Sequence, residues 1–562
     1  MPPHAVAIIG MAGRFPDAED VSTLWRNLQE GRTAIRRQSP VTSGYRMHGP
    51  NASLPEPVAA SVLSDADCFD ADFFGVDPGQ AQIIDPQHRL FLECVWSALE
   101  AAGYDPGNAG EKIGLFAGSC FPTYLLGLLD QRPDLVTEHG LMPITIGNDC
   151  DSLTSWVSYK LNLRGPAVTV RTFSSSSLVA VHQAAQSLLA GECDIAVAGA
   201  AAVKYPQAIS YPGVTSPSGV CRPMDIGADG SVVGNAVAAV VLKRAADAVR
   251  DRDHVHALIL GSAVNTDGAR RASYTAPGVA GKSEVVAEAL ANADVTASSL
   301  GYIEAHAMGT KLGDEVEIAS LARVFGGSTR SSEPCLVGAV AANLGHLDAA
   351  SGIVGLIKTA LMLEHRRLVP QPNFRTPNTA MRAAADFLRV CTREDQWECA
   401  GPRRAGVSSF GIGGVNAHVV LEQPPVVSST AAQTGEPRLI VISARTAEAL
   451  NRISGRLYDW LEQHPQTSID DLAFTLRTGK REFRQRRAIV TSSRQELLAT
   501  LVGAPGTPAH IRDNADPRRK LLDDRGARWA EGDSGSLADL RDGRARRIPL
   551  PTYPFERISF AL

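Results

Sequence analysis

No run of apolar residues in this 562-residue chain approaches the ~20 needed to cross a bilayer, so no membrane-spanning helix is expected. The chain also lacks a basic stretch leading into an apolar one at its start. His4-Ala5-Val6-Ala7-Ile8-Ile9-Gly10 reads as a strand instead, and no secretory signal is expected. The nine cysteines show neither a C-x-x-C pair nor finger-like spacing, which argues against a metal site and suggests reduced thiols in a cytoplasm. A net charge of −5 provides no basic excess for nucleic acid. What is present is ordinary for a soluble protein, 44% hydrophobic and 20% charged, and long enough for one large core with an appendage.

Strands rich in Val, Ile and Ala alternate with amphipathic helices. They are expected at Val6 to Gly10, Ile113 to Ala117, Ala167 to Thr172, Ile195 to Val203, Val237 to Leu242, Ala257 to Val264, Leu336 to Val340 and Ala417 to Leu421. This is the pattern of an α/β protein with a buried sheet. One segment carries chemistry. Ala167 to Thr172 leads into a tight turn, Phe173-Ser174-Ser175, and then a helix to about Leu189, with Gly191 as its stop. A hydroxyl at a helix start meets unpaired N–H groups and the positive end of the dipole, which stabilise an oxyanion.

Further motifs follow in order: Asp85-Pro86-Gln87 with Arg89, Gly261-Ser262-Ala263-Val264-Asn265 with Asp267-Gly268, Glu304-Ala305-His306, Asn343-Leu344-Gly345-His346, and Ser408-Ser409-Phe410-Gly411. With the Ser174 turn, this series resembles the β-ketoacyl synthase (ketosynthase) domains of modular type I polyketide synthases. There the turn usually reads Asp-Thr-Ala-Cys-Ser-Ser-Ser-Leu, so Ser174 stands where the family has its cysteine. The resemblance implies a thiolase fold, two similar halves in five αβαβα layers, and a homodimer. It further implies a substrate carried as an acyl thioester on the phosphopantetheine arm of an acyl carrier protein, with no bound cofactor.

Carried over residue by residue, the resemblance makes Ser174, His306 and His346 the catalytic residues. The oxyanion hole is the backbone N–H of Ser174 and Ile412. Thr310, Phe173, Met308, Gly413 and Gly414 face the substrate or its pantetheine arm, and Glu317 and Asn343 are supporting residues. A nucleotide loop at Gly411-x-Gly413-Gly414 is rejected because it leads into a strand. Departures from the family cluster here. Ala341 replaces a lysine, leaving Glu317 without its expected counter-ion. Arg171 replaces aspartate, Phe173 alanine, Met308 and Val415 threonines, and Val233 and Asn235 an Arg and a Glu.

Residues 1–425 are expected to form the ketosynthase-like domain and 426–502 an α/β linker subdomain. Residues 503–547 are expected to be a flexible remnant where an acyltransferase would be, and 548–562 a tail packing back on the ketosynthase. The chain then acts in trans on a separate carrier. The basic cluster Lys480-Arg481 with Arg484, Arg486 and Arg487 is expected to be a solvated face, with carrier docking as the alternative. A hydroxyl needs a base to be a useful nucleophile, and an oxyester is a poor partner for carbon nucleophiles. The expectation is therefore a non-elongating acyl transfer or intramolecular cyclisation in secondary-metabolite biosynthesis. Two alternatives stay open: a conventional decarboxylative Claisen-condensing enzyme with serine put in place of cysteine, and a catalytically inactive ketosynthase-like partner.

Overall fold

Strands buried on both faces need no polar alternation, and Ile195–Ala202 is buried at every position. The computed structural model describes residues 2–37, 59–107, 110–205, 213–326, 333–425, 435–502, 516–537, 540 and 544–562. Its large sheet contains β1 (Val6–Arg14), β2 (Ile113–Ser119), β3 (Ala167–Thr169), β4 (Ile195–Ala202), β5 (Ala236–Arg244), β6 (Ala257–Thr266), β7 (Tyr302–Glu304), β8 (Cys335–Gly338), β9 (Leu388–Val390), β10 (Arg404–Phe410) and β11 (Val415–Glu422). The spatial order is β9-β8-β7-β10-β11-β6-β1-β5-β4-β2-β3.

That order contains a repeat. Taking β1 to β5 as one set and β6, β7, β8, β10, β11 as another, each lies in the order third, second, fourth, fifth, first. In both sets the third, second and fourth strands are parallel and the last two pairings antiparallel. A short antiparallel pairing joins the halves, Val6 with Ile259 through Ile8 with Ala257.

Five helices complete the layers: α1 (Pro86–Ala101), α2 (Ser176–Leu189), α3 (Val279–Asn292), α4 (Lys311–Phe325) and α5 (Ser351–His365). Helix α1 covers β1, β4 and β5, and α3 covers β6 and β11 with α4 beside it. Helices α2 and α5 pack on each other between the half-sheets. Their approach is close: a Cβ added to Gly352 would lie 2.9 Å from the Leu178 Cβ. Both helices therefore aim their N-terminal ends at one region.

Strands β7, β9 and β10 lie outside the strands predicted from sequence. The first two have three residues each, too few for a period to register. β10 mixes Arg404, Ser408 and Ser409 with its apolar residues.

The appended unit pairs β12 (Arg438–Ala444) with β13 (Gln485–Thr491) and adds α6 (Ala447–Gln463) and α7 (Ile469–Gly479). Residues 426–434, the start of the expected linker subdomain, lie outside the described residues. The expected flexible stretch is corrected in part. Residues 503–515 lie outside the described residues, but Pro517–Ala530 is a helix, α8, with Asp516 accepting from the Arg518 N–H. Its Leu522 and Trp529 are buried against Leu439, Val441 and Val490.

The terminal segment crosses the main body. Arg547 donates to the Gly103 carbonyl and Asp253, the Tyr553 N–H to Glu100, and Arg557 to Glu93. The basic cluster is not a solvated face. Lys480 pairs with Glu100 and donates to the Pro551 carbonyl, Arg486 donates to the Phe483 and Trp529 carbonyls, and Arg487 to Thr500. Only Arg481 and Arg484 of the five are exposed. Among the described residues no helix is long and apolar enough to cross a membrane.

Candidate active site

The turn from β3 to α2 is tied by its own hydroxyls. Ser176 Oγ accepts from the Thr172 N–H and donates to the Phe173 carbonyl, while Ser175 Oγ donates to the Thr172 carbonyl. These bonds hold Phe173 in a left-handed conformation, φ 57°, which an L residue adopts at a cost. Ser174 follows, 8% exposed. Its carbonyl accepts from Ser409 Oγ at 2.8 Å, and its own Oγ lies 2.9 Å from His346 Nε2.

His346 precedes α5, its backbone bonded to Val232 and Gly234. Its Nδ1 lies 3.3 Å from Ser351 Oγ. With Nδ1–H donated to Ser351, Nε2 presents a lone pair to Ser174; this tautomer is assigned from the hydrogen-bond network. Burial pushes the His346 pKa down to about 4, and Lys204 adds to the shift while Asp348 opposes it. The imidazole is therefore neutral near pH 7.

His306 packs its ring against that of His346, centroids 5.4 Å apart and planes at 83°, and against Phe410. Both of its ring nitrogens are buried with no hydrogen-bond partner among the described residues. Burial holds its pKa well below the usual range, with smaller contributions from His346 and Lys282.

The backbone of His306 is anchored from α4. Glu317 accepts from its N–H at 2.8 Å, and Asp314 accepts from the N–H groups of Met308 and Gly309. Burial raises both carboxyls to about 7. Glu317 does not lack a cation: Lys282, buried on α3, acts on it as the main opposing charge. This corrects the expectation drawn from Ala341. Asn343 donates to the Arg32 carbonyl, and its own carbonyl accepts from Ala34 N–H and Thr33 Oγ1. It thus fixes the His346 loop to the N-terminal segment.

The Gly411 turn lies against the Ser174 turn. A Cβ on Gly411 would fall 2.1 Å from the Thr172 carbonyl oxygen, so only glycine permits this approach. Ile412, 49% exposed, is held through its carbonyl by Arg271. Gly413 faces Tyr274 and Phe173, and Gly414 has φ 90°. Thr310 stands immediately before α4 without a side-chain capping bond, and Met308 accepts at its carbonyl from Cys221 Sγ. Val233 forms a bridge with His346, and Asn235 binds the Lys204 backbone.

One other cluster gathers donor atoms among the described residues, His254, His256 and Glu364. Each Glu364 oxygen is already hydrogen-bonded to one imidazole.

The model of the β-ketoacyl synthase N-terminal domain matches residues 4–248 and that of the C-terminal domain residues 256–375. A third, described as a CurL-like polyketide synthase C-terminal segment, matches 438–501. A phenolphthiocerol/phthiocerol polyketide synthase polypeptide of Mycobacterium tuberculosis is 42% identical over 540 residues, 92% of this chain and 36% of that protein. The chain thus spans about a third of the length of that relative. Two solved structures cover 99% of the chain and 99% or more of their own. One is the ketosynthase from module 1 of the bacillaene synthase of Bacillus amyloliquefaciens FZB42, with a TM-score of 0.85 and 31% identity. The other is the module 6 ketosynthase of Bacillus subtilis 168 in a cysteine-to-serine mutant, with 0.83 and 32%. The repeated half-sheets are the thiolase fold, and the chain belongs to the β-ketoacyl synthase family, as a ketosynthase of the modular polyketide synthase type.

Proposed function

We propose that Ser174 accepts the acyl group of a carrier-protein thioester and that the chain passes it on without elongating it. The observation that carries this reading is the 2.9 Å contact between Ser174 Oγ and Nε2 of a neutral His346. A serine is a useful nucleophile when a base takes its proton. In the loading step the Ser174 Oγ–carbonyl bond forms and the carbon–sulfur bond of the thioester breaks. The serine proton passes to His346 and from there to the departing pantetheine thiolate.

The backbone N–H groups of Ser174 and Ile412 hold the oxyanion, a role supported by the close seating of the Gly411 turn. His306, with two unpaired ring nitrogens, faces the acyl acceptor. Thr310, Met308, Phe173, Gly413 and Gly414 border the approach of the pantetheine arm. The second step delivers the acyl group to oxygen or nitrogen, or closes a ring, since an oxyester reacts poorly with a carbon nucleophile. The chain is proposed to act as a homodimer through the free edge of β3, where Val168, Leu141, Met142, Ile146 and Tyr159 expose apolar surface.

A conventional condensing enzyme with serine put in place of cysteine is the second reading, favoured by the likeness to a solved relative carrying that change. One experiment separates the two. Separately supplied acyl-carrier protein is incubated with the chain and with Ser174→Ala and Ser174→Cys, and acyl loss from the carrier is followed by intact mass. The native-serine reading expects an acylated chain, none with alanine and little gain with cysteine. A rise of orders of magnitude with cysteine supports the second reading. No acylation of either nucleophile rejects both.

A further inference from the structure

Lys282 occupies a core position of an amphipathic helix. On α3 it shares a face with Val285, Val286, Ala289 and Leu290, all buried, at the spacing of an apolar stripe. Its ammonium lies 4.5 Å from the centroid of the Phe410 ring. The imidazole of His306 meets that ring edge to face, centroids 5.8 Å apart. Helix α3 packs on α4, which carries Glu317 and Asp314. An ammonium taken out of water at this depth is tolerated only if charges of opposite sign face it.

We infer that Lys282 is a positioning residue for His306: its buried ammonium balances Glu317, the carboxylate that ties down the His306 backbone. The groups facing Lys282 are Glu317 and Asp314 from α4 and Asp267 and Arg271 from the segment after β6. Glu304 on β7 also faces Glu317, with the same sign of charge. The cation on Phe410 and the anion on the His306 N–H thus bracket the imidazole from two elements. The inference takes the catalytic role of His306 from the proposed function, whereas its primary test does not depend on activity.

Thermal stability is measured from pH 6 to 9 for the wild type, Lys282→Met, Glu317→Gln and the double variant. The Glu317 carboxyl sits at about 7 in the folded protein, above its unfolded value, so its ionisation costs stability as pH rises and the cost levels off above about 7. Without Lys282 the carboxyl ionises only at higher pH, and the cost goes on growing. The Tm gap between wild type and Lys282→Met is expected to widen by about 2–4 °C between pH 7 and 9. Glu317→Gln should shrink that widening in the double variant to the part left by Asp314, which also faces Lys282. A gap of constant size, as lost packing alone would give, overturns the inference, as does widening undiminished by Glu317→Gln. Acyl loading on Ser174 is the second readout, lowered by Lys282→Met and restored at least in part by Lys282→Arg. Absence of loading in the wild type rejects the proposed function and leaves the stability result standing.

Discussion

The two halves of the sheet follow one plan, but the turns they bring to the site are held by different chemistry. In the first, β3 turns directly into α2, and the turn is held by neutral hydroxyls, those of Ser175 and Ser176. In the second, the corresponding β8 reaches α5 through Val340 to Ala350, and His346 is presented five residues before the helix. That half is ionic. Lys358 pairs with Glu304 at 2.8 Å with both side chains buried, Lys204 with Asp348 at 3.1 Å, and Lys282 faces Glu317. The halves meet where Ser177 Oγ accepts from the Ile353 N–H of α5. Buried charge is present in the first half too, where Lys243 of β5 pairs with Asp253. At the site, however, the Ser174 turn depends on backbone shape and the two histidine loops on charge, and substitutions of each kind should separate them.

The largest expected effect is on charge. Glu304 accepts from Tyr302 and from the Val340 N–H at the start of the His346 loop. Lys358→Met leaves that carboxylate buried without its cation, which should cost about 3–5 kcal/mol. The double change Lys358→Met with Glu304→Gln should recover much of it, since no charge is then left unpaired. Chemical denaturation of the wild type, Lys358→Met, Glu304→Gln and the double variant measures both. A double variant as unstable as the single one would mean that packing, and not charge, holds this half.

Legibility from sequence divides along similar lines. The long apolar strands announce themselves, because Ile195–Ala202 and Ala236–Arg244 have hardly a polar residue, and the Ser174 turn is readable from its strand, serines and helix. The repeat is not: its two copies share strand order, which sequence does not display. Lys282 escapes a sequence reading because a lysine on a helix is ordinarily a surface residue. The available signal is its place three and four residues before Val285 and Val286, in the apolar stripe of α3. Helix α8 is hidden by its Asp and Arg content, although Leu522, Gly526 and Trp529 mark one face. The resemblance to the family points to position 341 for the partner of Glu317. That partner comes instead from another helix, a relation only the fold creates.

The next contrast is in pH. His346 titrates at about 4 in the folded protein, below its unfolded value near 6.5. Between these values the unfolded chain binds the proton and the folded one does not, so stability is lost as pH falls through that window. The slope from this group is at most about 1.4 kcal/mol per pH unit. His346→Gln should therefore lose about 2–3 kcal/mol less than wild type on going from pH 7 to 4. His418 and His88, pushed to about 3 and 4 by burial, keep a residual acid limb of the same sign. Ser174→Ala, a change at the neutral turn, should leave the acid limb of the wild type intact. An unaltered limb in His346→Gln would refute the neutral buried imidazole.

The smallest expected effect isolates backbone shape. Phe173 is 54% exposed, so removing its ring gives up little burial, but its φ of 57° is strained for any residue with a Cβ. Phe173→Ala keeps the strain and should change stability little. Phe173→Gly removes a strain of roughly 1–2 kcal/mol and adds back roughly 0.5–1 kcal/mol of unfolded-state entropy. The glycine variant should therefore exceed the alanine variant by up to about 1.5 kcal/mol in thermal or chemical unfolding, with no dependence on pH between 6 and 8. The pH term matters as much as the sign, because the hydroxyls around this turn do not titrate in that range. Equal stabilities would show that the serines around the turn do not hold Phe173 in a costly conformation, and a pH-dependent difference would place charge at a turn that shape alone is expected to hold.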